Sequence, residues 1–178
     1  DRAQPGQGRV VLLTGEAGIG KSRLAQTLRE RVLGGQYPML RYFCSPHHQN
    51  SALYPVINHL ERVAKISPHD PPNLKLDKLR SILINFEDDI TDIAKVMQLF
   101  AALLSIPAED HYEPLDLSPP RLKEHTLQAL NNQFVALVAQ QPVLVLFEDL
   151  HWLDPTTMEL LEMMIDWVQT SPILVLMT

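Results

Sequence analysis

The sequence predicts an α/β fold, a three-layer core in which helices cover a parallel β-sheet. Short runs of consecutive apolar residues, typical of strands buried on both faces, lie near the start and near the end of the 178 residues. Between them, apolar residues recur three and four positions apart, which is the spacing of one helical face. Strands separated by helices in this way indicate a parallel sheet.

The first apolar run is followed at once by a glycine-rich segment. Arg9 to Thr14 is predicted as the first strand, with Val10 to Leu13 buried, and Lys21 to Leu33 as the first helix. The segment that joins them reads G-x-x-x-x-G-K-S, as Gly15-Glu16-Ala17-Gly18-Ile19-Gly20-Lys21-Ser22. This is the P-loop, or Walker A motif, which requires a strand before it and a helix after it.

The chemistry of this loop follows from its residue types. Gly15, Gly18 and Gly20 let the backbone bend tightly and come close to an anion. The loop N–H groups and the start of the helix then present positive potential to a phosphate. Lys21 is the candidate ligand of the β- and γ-phosphates, and the Ser22 hydroxyl is a candidate ligand of Mg²⁺. The alternative is an ordinary glycine-rich turn with a surface lysine, which leaves the flanking strand and helix unexplained.

The middle of the chain is predicted to be mostly helical. Gly34-Gly35 is expected to end the first helix, and Met39 to Cys44 is predicted as a second strand at a sheet edge. Residues 45–141 then form a helical segment within a single domain that covers residues 1–178. Pro71-Pro72 is expected to break the chain. The predicted helical faces are Leu53–Ala64, Leu76–Phe86, Ile93–Leu104 and, after a loop at Pro107–Pro120, a long helix from Ser118-Pro119 to about Gln140.

The last part of the chain contains a second motif. Val143 to Phe147 is predicted as a buried strand, and Glu148-Asp149 follows it directly. An apolar strand that ends in carboxylates is the Walker B pattern, which supplies the metal side of a P-loop site. Because ligands bind at the carboxyl ends of parallel strands, we expect this pair to meet the P-loop. The alternative is that both are solvated loop charges. Asp154-Pro155 is predicted to open a helix, and Ile173 to Met177 to form the last strand.

Composition excludes several classes of protein. The net charge of −6 argues against non-specific binding to nucleic acid or anionic membranes. The single cysteine, Cys44, excludes an intrachain disulfide and fits a reducing cytoplasm. No apolar run approaches the roughly 20 residues of a membrane-spanning helix. Asp1 to Gly8 is polar and is expected to be a linker rather than a signal peptide. Because there is no initiator Met, we expect the chain to be a piece of a longer protein.

In its two motifs the chain resembles the signal-transduction ATPases with numerous domains (STAND), a regulatory branch of the AAA-type (ASCE) P-loop ATPases. The similarity lies in Gly15–Leu24, GEAGIGKSRL, and in Phe147–Thr157, FEDLHWLDPTT. Within the branch, the chain is similar to the ATPase module between an adenylate/guanylate cyclase domain and a TPR-like helical array in bacterial proteins. Arg41–Pro55 and Ser118–Leu130 share this similarity, which covers nearly the whole chain.

The resemblance implies a role for each motif residue. Lys21 would bind the β- and γ-phosphates of ATP, and Ser22 and Glu148 would hold Mg²⁺. Asp149 would orient the hydrolytic water, so the implied catalytic residues are Lys21, Glu148 and Asp149. The common order in P-loop ATPases is Asp then Glu; Asp149 is a methylene shorter, and we expect slow turnover suited to a switch. The implied nucleotide-binding residues are Gly15, Glu16, Ala17, Gly18, Ile19, Gly20, Lys21, Ser22 and Arg23.

The resemblance also implies parts that lie outside this chain. The family's strand order is 5-1-4-3-2, and the fifth strand, a sensor arginine, a lid and an adenine-contacting segment would all be missing. Without the fifth strand, Val10 to Leu13 would become an open edge. We therefore expect weak nucleotide binding and little or no hydrolysis by these 178 residues alone.

Three functions remain open from the sequence. The first is a cytoplasmic ATPase switch, with ATP or ADP bound and with cyclase and TPR-like domains flanking it. The second is the same module in a DNA-binding transcriptional activator, whose recognition helix would lie in another domain, since no basic stripe is present here. The third is a scaffold that binds nucleotide without hydrolysis. ATP is preferred to GTP by the resemblance, and the absence of N-K-x-D agrees; the oligomeric state stays open.

Several other residues have two readings. Cys44 is interpreted as a small buried hydrophobe rather than a nucleophile, and His47-His48 as two side chains that point apart rather than a metal site. His151 either faces the γ-phosphate or supports its own turn. Arg23 and Arg121 either reach phosphate or are solvated helix charges. The segment 45–141 is either a partner-docking insert or an extra layer of the domain.

Overall fold

Four parallel strands form the sheet of this protein. The computed structural model describes residues 8–16, 18–33, 37–83 and 90–178. The strands are β1 (Arg9–Leu12), β2 (Met39–Phe43), β3 (Val143–Glu148) and β4 (Ile173–Met177). They lie in the order β1-β4-β3-β2, and every neighbouring pair is parallel. The predicted α/β fold is confirmed, and the order agrees with the 1-4-3-2 part of the order that the resemblance implies.

The strands end nearly level at one edge of the sheet. Leu12 is opposite Met177, Met177 is opposite Phe147, and Phe147 is opposite Tyr42. The P-loop follows β1, a turn follows β3, and Thr178 follows β4. These segments are therefore brought to the same edge, as expected for a ligand site of a parallel sheet.

The core of the sheet lies around its two central strands. All six residues of β3 are buried, because β2 and β4 flank it and apolar side chains cover it. The first helix, α1 (Lys21–Leu33), packs Ala25 against Leu146 and Leu176, with Leu13 and Leu28 beside them. This packing fixes the start of α1 over the sheet face that carries Leu146.

Strand β1 is the open edge expected without a fifth strand, and it is not buried as its apolar run alone predicts. Its four residues are all exposed, with Val10 41% and Leu12 56% accessible. The reason is topological: β1 pairs with β4 on one side, and no described strand pairs with its other side. The strand also stops at Leu12 rather than Thr14, although the Leu13 N–H still donates to the Met177 carbonyl over 2.8 Å.

Gly8 is more than the end of a linker. Its N–H donates to the Val168 carbonyl over 2.9 Å. A Cβ atom at this position would lie 2.5 Å from the carbonyl oxygens of both Val168 and Ile173. Only glycine fits this approach to the start of β4, because the neighbouring atoms are backbone and cannot move aside.

The described residues form two compact units. The first takes in the chain up to Val56 together with Leu137–Thr178, and the second is Ile57–Ala136. The prediction of a single domain over residues 1–178, with 45–141 as a segment within it, remains a prediction.

The remaining helices are α2 (Tyr54–Ala64), α3 (Pro72–Ile82), α4 (Ile90–Leu103), α5 (Pro119–Gln140) and α6 (Pro155–Asp166), with short 3₁₀ turns at Pro46–His48, Leu150–Trp152 and Val168–Thr170.

Within the second unit, the helices present the faces that periodicity predicts. Leu76 and Leu79 of α3 are buried, and so are Met97 and Phe100 of α4. Pro71-Pro72 begins α3 instead of merely breaking the chain, because proline is well suited to the first helical position. Phe86 and the predicted cap Gly34-Gly35 lie outside the described residues. None of the described helices has the length and apolar character that crossing a membrane requires.

Candidate functional site

A cavity of about 880 Å³ opens at the carboxyl edge of the sheet. Its size suits a nucleotide-sized ligand. It is lined by the end of β1, the P-loop, the start of α1, the turn after β3, the first turn of α6 and the residue after β4. The lining residues are Leu12, Leu13, Thr14, Gly15, Gly18, Gly20, Lys21, Ser22, Asp149, Leu150, His151, Met158 and Thr178.

The P-loop backbone takes a path that two glycines make accessible. Gly18 has a φ of +83° and Gly20 a φ of +105°, values that residues with a Cβ atom rarely adopt. No atom lies within 4 Å of a Cβ built at either position, so the backbone angle alone demands glycine there. The Leu24 N–H then donates to the Gly20 carbonyl over 2.9 Å and begins the helical hydrogen bonding of α1.

Lys21 lies across its own loop. Its ammonium group donates to the Gly15 carbonyl over 2.7 Å and to the Glu16 carbonyl over 3.0 Å. Both bonds place the positive charge on the cavity wall formed by the loop. The lysine is therefore positioned where a phosphate group in the cavity would meet it.

The other predicted loop residues are placed as follows. Ser22 is exposed and lines the cavity. Glu16 is exposed, and the Ile19 side chain is 70% accessible. Arg23 is exposed on the first turn of α1 and is not among the lining residues. Ala17 lies outside the described residues.

Asp149 is the acidic residue of the second motif that faces the cavity. Its backbone is left-handed, with φ 59° and ψ 47°, a conformation that Asp tolerates better than most residues. The Asp149 N–H donates to the Thr178 hydroxyl over 3.4 Å, and the Leu150 N–H donates to the Thr178 carbonyl over 2.9 Å. Thr178 therefore supports the turn that carries Asp149.

Glu148 is placed differently from its neighbour. It is buried, it does not line the cavity, and its carboxylate accepts from the Arg41 Nε over 2.5 Å. The Arg41 guanidinium also lies 4.1 Å from the centre of the Phe43 ring. The two adjacent carboxylates thus have distinct environments, one paired with a cation and one open to the cavity.

Sequence reasoning missed two of these residues. Thr178 and Arg41 are not among the predicted site residues, although Arg41 begins the segment Arg41–Pro55 that shares the family resemblance. Both lie beside the Walker B segment through the parallel register of β3 with β4 and β2. A signal existed for Thr178, since a polar residue at the carboxyl end of a strand next to Walker B points to the same edge.

Cys44 and Asp154 are both buried, and the charge of Asp154 acts on the Cys44 thiol. The Asp154 carboxylate accepts from the N–H groups of Leu53, Thr156 and Thr157. Burial, and then the negative charges of Asp154 and Asp149, raise the pKa of the Cys44 thiol to about 12. At neutral pH the thiol is therefore protonated, which agrees with a buried hydrophobe rather than a nucleophile.

The histidines do not form a metal centre in the described part of the chain, where no group of three or more His, Cys, Asp or Glu residues could hold an ion. His48 stacks on Tyr54, with ring centres 3.6 Å apart. His151 lines the cavity and lies 4.7 Å from the Trp152 ring. His151 therefore combines access to the cavity with a ring contact inside its own turn.

Comparison with known families agrees with this geometry. The sequence model of the AAA ATPase domain matches residues 1–176, almost the whole chain. The chain belongs to the AAA ATPase domain family. Members of this family bind nucleotide, typically with Mg²⁺. The AAA ATPase domain described here is thus an AAA-type P-loop module, and its cavity is the candidate nucleotide site.

One relative is a much longer protein. The AAA ATPase domain is 31% identical over 179 aligned residues to an uncharacterized protein of Rhizobium meliloti. All of this chain is covered, but it spans only 17% of the length of that relative. No solved structure gives a significant match to the AAA ATPase domain.

The residues at the cavity fit a hydrated Mg²⁺ ion. Mg²⁺ prefers hard oxygen ligands, usually one or two from the protein together with waters and phosphates. The Ser22 hydroxyl and the Asp149 carboxylate of the AAA ATPase domain line the same cavity and are donors of this kind. Glu148 is a third such donor nearby, although Arg41 pairs with its carboxylate.

Proposed function

We propose that this chain is a regulatory switch domain that binds Mg-ATP and hydrolyses it slowly within a larger signalling protein of the cyclase type. One observation carries the proposal: a single cavity is lined by Lys21 and Ser22 from the P-loop and by Asp149 from the turn after β3. A phosphate cradle facing a carboxylate is the arrangement that phosphoryl transfer to water needs.

Residues of this chain would bind the phosphates, hold Mg²⁺ and orient the attacking water. The P-loop N–H groups and the positive end of α1 attract the phosphates. Lys21 moves its ammonium group from the loop carbonyls to the β- and γ-phosphates. Ser22 and Glu148 are the proposed ligands of Mg²⁺, which would neutralise phosphate charge, and Asp149 orients the attacking water.

We propose slow turnover because of the contacts that the Asp149 turn and the Glu148 carboxylate make. Asp149 faces the cavity but has a short side chain, and its turn is held by Thr178. Glu148 is engaged by Arg41. Neither group is ready for catalysis without adjustment, which favours a long-lived ATP state that neighbouring domains could read. Multiple turnovers per second by the intact protein without a partner would contradict this proposal.

A second candidate is the same ATPase module in a DNA-binding transcriptional activator. The resemblance in Phe147–Thr157 is shared by both kinds of protein and does not favour either. A third candidate is a non-enzymatic scaffold with a degenerate nucleotide site, and it is disfavoured because Lys21 and Ser22 are both present at the cavity. The parent reading frame separates the first two candidates, and nucleotide hydrolysis by the intact parent protein separates them from a scaffold that does not hydrolyse nucleotide.

The test of nucleotide binding is a Lys21→Ala substitution. Because charge-assisted hydrogen bonds to phosphate are lost, we expect affinity for Mg-ATP to fall roughly tenfold to a hundredfold by isothermal titration calorimetry. Lys95→Ala removes an exposed lysine of α4 and should leave the affinity unchanged. Urea denaturation of both variants checks that the fold is retained. Equal affinity of Lys21→Ala and wild type would overturn the proposed site.

A further inference from the structure

Arg41 and Glu148 form an ion pair on the face of the sheet that α1 covers. Arg41 lies opposite Leu146 in the parallel register, and Phe43 lies opposite Glu148. Leu146 packs on Ala25 of α1, so this face is the one above which the P-loop helix lies. Residues at alternate positions of a strand share a face. Arg41 therefore reaches diagonally across two neighbouring strands to the carboxylate at the end of β3.

Two contacts hold Arg41 in this position. Its Nε donates to Glu148 over 2.5 Å, and its guanidinium lies 4.1 Å from the centre of the Phe43 ring. Arg41 is partly buried, and the Glu148 side chain is only 9% accessible. A guanidinium stacked on an aromatic ring loses less freedom when it forms an ion pair, since the ring already orients it.

We propose that Arg41 is a positioning residue that competes with Mg²⁺ for the Glu148 carboxylate and so sets the Mg²⁺ requirement of nucleotide binding. The inference rests on the proposed function and deepens it. Glu148 directly precedes Asp149, which lines the phosphate cavity, yet Glu148 itself does not line it. For Glu148 to take up a metal ligand position, its carboxylate has to leave Arg41 or share its charge with it.

The competition follows from charge. A buried carboxylate stabilised by a guanidinium offers less attraction to a second cation, because the two positive charges repel each other at short range in a medium of low dielectric constant. Arg41 therefore raises the Mg²⁺ concentration at which Glu148 contributes to binding. Within the described residues, no lysine or arginine forms an ion pair with Asp149, so Asp149 and Ser22 would act at lower Mg²⁺ concentration.

The experiment measures nucleotide affinity against free Mg²⁺ concentration. A fluorescent ATP analogue is titrated into the full chain in EDTA and then at increasing Mg²⁺, for wild type and Arg41→Gln. We expect Arg41→Gln to lower the half-saturating Mg²⁺ concentration by about three- to tenfold, since the carboxylate is released. Affinity in EDTA should change little, because Lys21 and the loop are untouched. An unchanged or higher half-saturating concentration would overturn the inference.

Three variants separate this role from a purely structural one. Arg80→Gln removes an exposed arginine of α3 and should keep the wild-type Mg²⁺ dependence. Arg41→Lys keeps the charge and should stay closer to wild type than Arg41→Gln. Phe43→Leu removes the ring that orients Arg41 and should shift the Mg²⁺ dependence in the same direction as Arg41→Gln, by about twofold. A shift with Arg80→Gln as large as that with Arg41→Gln would count against the specific pairing.

If Arg41→Gln alone does not fold, the double variant Arg41→Gln/Glu148→Gln can be measured instead. It leaves no unpaired buried charge, because its two neutral side chains can share a hydrogen bond. If Arg41 acts through Glu148, the double variant and Glu148→Gln have the same Mg²⁺ dependence. A further change caused by Arg41→Gln in the Glu148→Gln background would overturn the inference. Loss of all nucleotide binding by the folded wild type in EDTA and in Mg²⁺ would instead overturn the proposed function itself.

Discussion

Lys21 already has two acceptors inside its own loop. Its ammonium group donates to the carbonyls of Gly15 and Glu16, which closes the loop on itself. An anionic phosphate oxygen is a stronger acceptor than a neutral carbonyl. Under the proposed function, nucleotide binding would therefore exchange two bonds to neutral carbonyls for bonds in which both partners are charged, and the loop would be free to adjust around the ligand.

Cys44 gives the folded state a defined sensitivity to alkaline pH. Its pKa rises from 9.0 to about 12, mainly through burial. Between these values the unfolded chain releases the thiol proton while the folded chain keeps it, so the free energy of unfolding falls as pH rises. We expect the full contribution below pH 9 and a decline of up to about 1.4 kcal/mol per pH unit above it. Urea denaturation between pH 7 and pH 11 measures the slope.

Two variants control this prediction. Cys44→Ala has no thiol and should show a shallower decline above pH 9. Burial also raises the pKa of Tyr42, so Tyr42→Phe should reduce the decline further, at pH values above 10. Identical pH profiles for wild type and Cys44→Ala would contradict the assignment to Cys44.

At the scale of elements, α6 begins on a carboxylate that also holds a distant segment. Asp154 is 2% exposed, and its Oδ1 accepts from Thr157 N–H over 2.9 Å and from Leu53 N–H over 3.2 Å. Asp154→Ala removes the helix cap and leaves the buried Leu53 N–H without this acceptor. We expect a loss of about 2–4 kcal/mol in the free energy of unfolding, measured by urea denaturation.

The matched control is Asp154→Asn, which keeps the Oδ1 acceptor and loses the charge. It should cost about 1 kcal/mol, clearly less than Asp154→Ala. The comparison isolates the loss of charge, which both substitutions share, from the loss of the Oδ1 acceptor and of side-chain volume, which only Asp154→Ala causes. Equal destabilisation by the two substitutions would show that the Oδ1 acceptor is not what stabilises the N-terminus of α6.

The kind of each element could be predicted from local pattern, and its surroundings could not. Ile173–Met177 and Lys21–Leu33 have the predicted bounds, because an apolar run or a helical period ends in recognisable residues there. The apolar run of β1 alone predicted a buried strand, and this was wrong, whereas the open edge expected from the missing fifth strand is what the structure shows. Burial depends on which strands flank an element, and the apolar run does not contain that information. Gly8 was assigned to a linker for a similar reason: its carbonyl neighbours lie more than 150 residues away.

The sequence predicted the two motifs of the candidate site but not the ion pair between Arg41 and Glu148. Glycine spacing and carboxylate position are local signals, and they identified both motifs. The Arg41–Glu148 pair spans 107 residues of sequence, and no local rule connects an arginine in one strand with a carboxylate in another. Ion pairs of this kind become visible only when the strand order and register are known.

At the scale of the whole molecule, the exposed edge of the sheet has a measurable effect. β1 exposes Val10, Val11 and Leu12 and pairs on one side only in the described structure. An unpaired apolar edge strand promotes association between copies. We expect the 178-residue chain to self-associate as its concentration rises, and Val10→Lys to reduce this association, measured by size exclusion with light scattering.

Val63→Lys is the control for this prediction. Val63 is 45% exposed but lies on helix α2, which presents no strand edge to a second copy. The added charge is the same, so any general effect of charge on solubility is common to both variants. Equal suppression of association by both substitutions would contradict a role for the β1 edge.

The order of the sheet also governs when the nucleotide cradle is completed during synthesis. β1 emerges first, yet its partner β4 is made last of the four strands, and Arg9 pairs with Leu174. Until the ribosome has released β4, the strand that leads into the P-loop has no described neighbour to pair with. A nascent chain that stops short of Ile173 therefore contains the whole of Gly15–Ser22 and lacks the strand that fixes it in place. We therefore expect phosphate binding to appear abruptly once β4 has been synthesised, and not to increase gradually as the nascent chain lengthens.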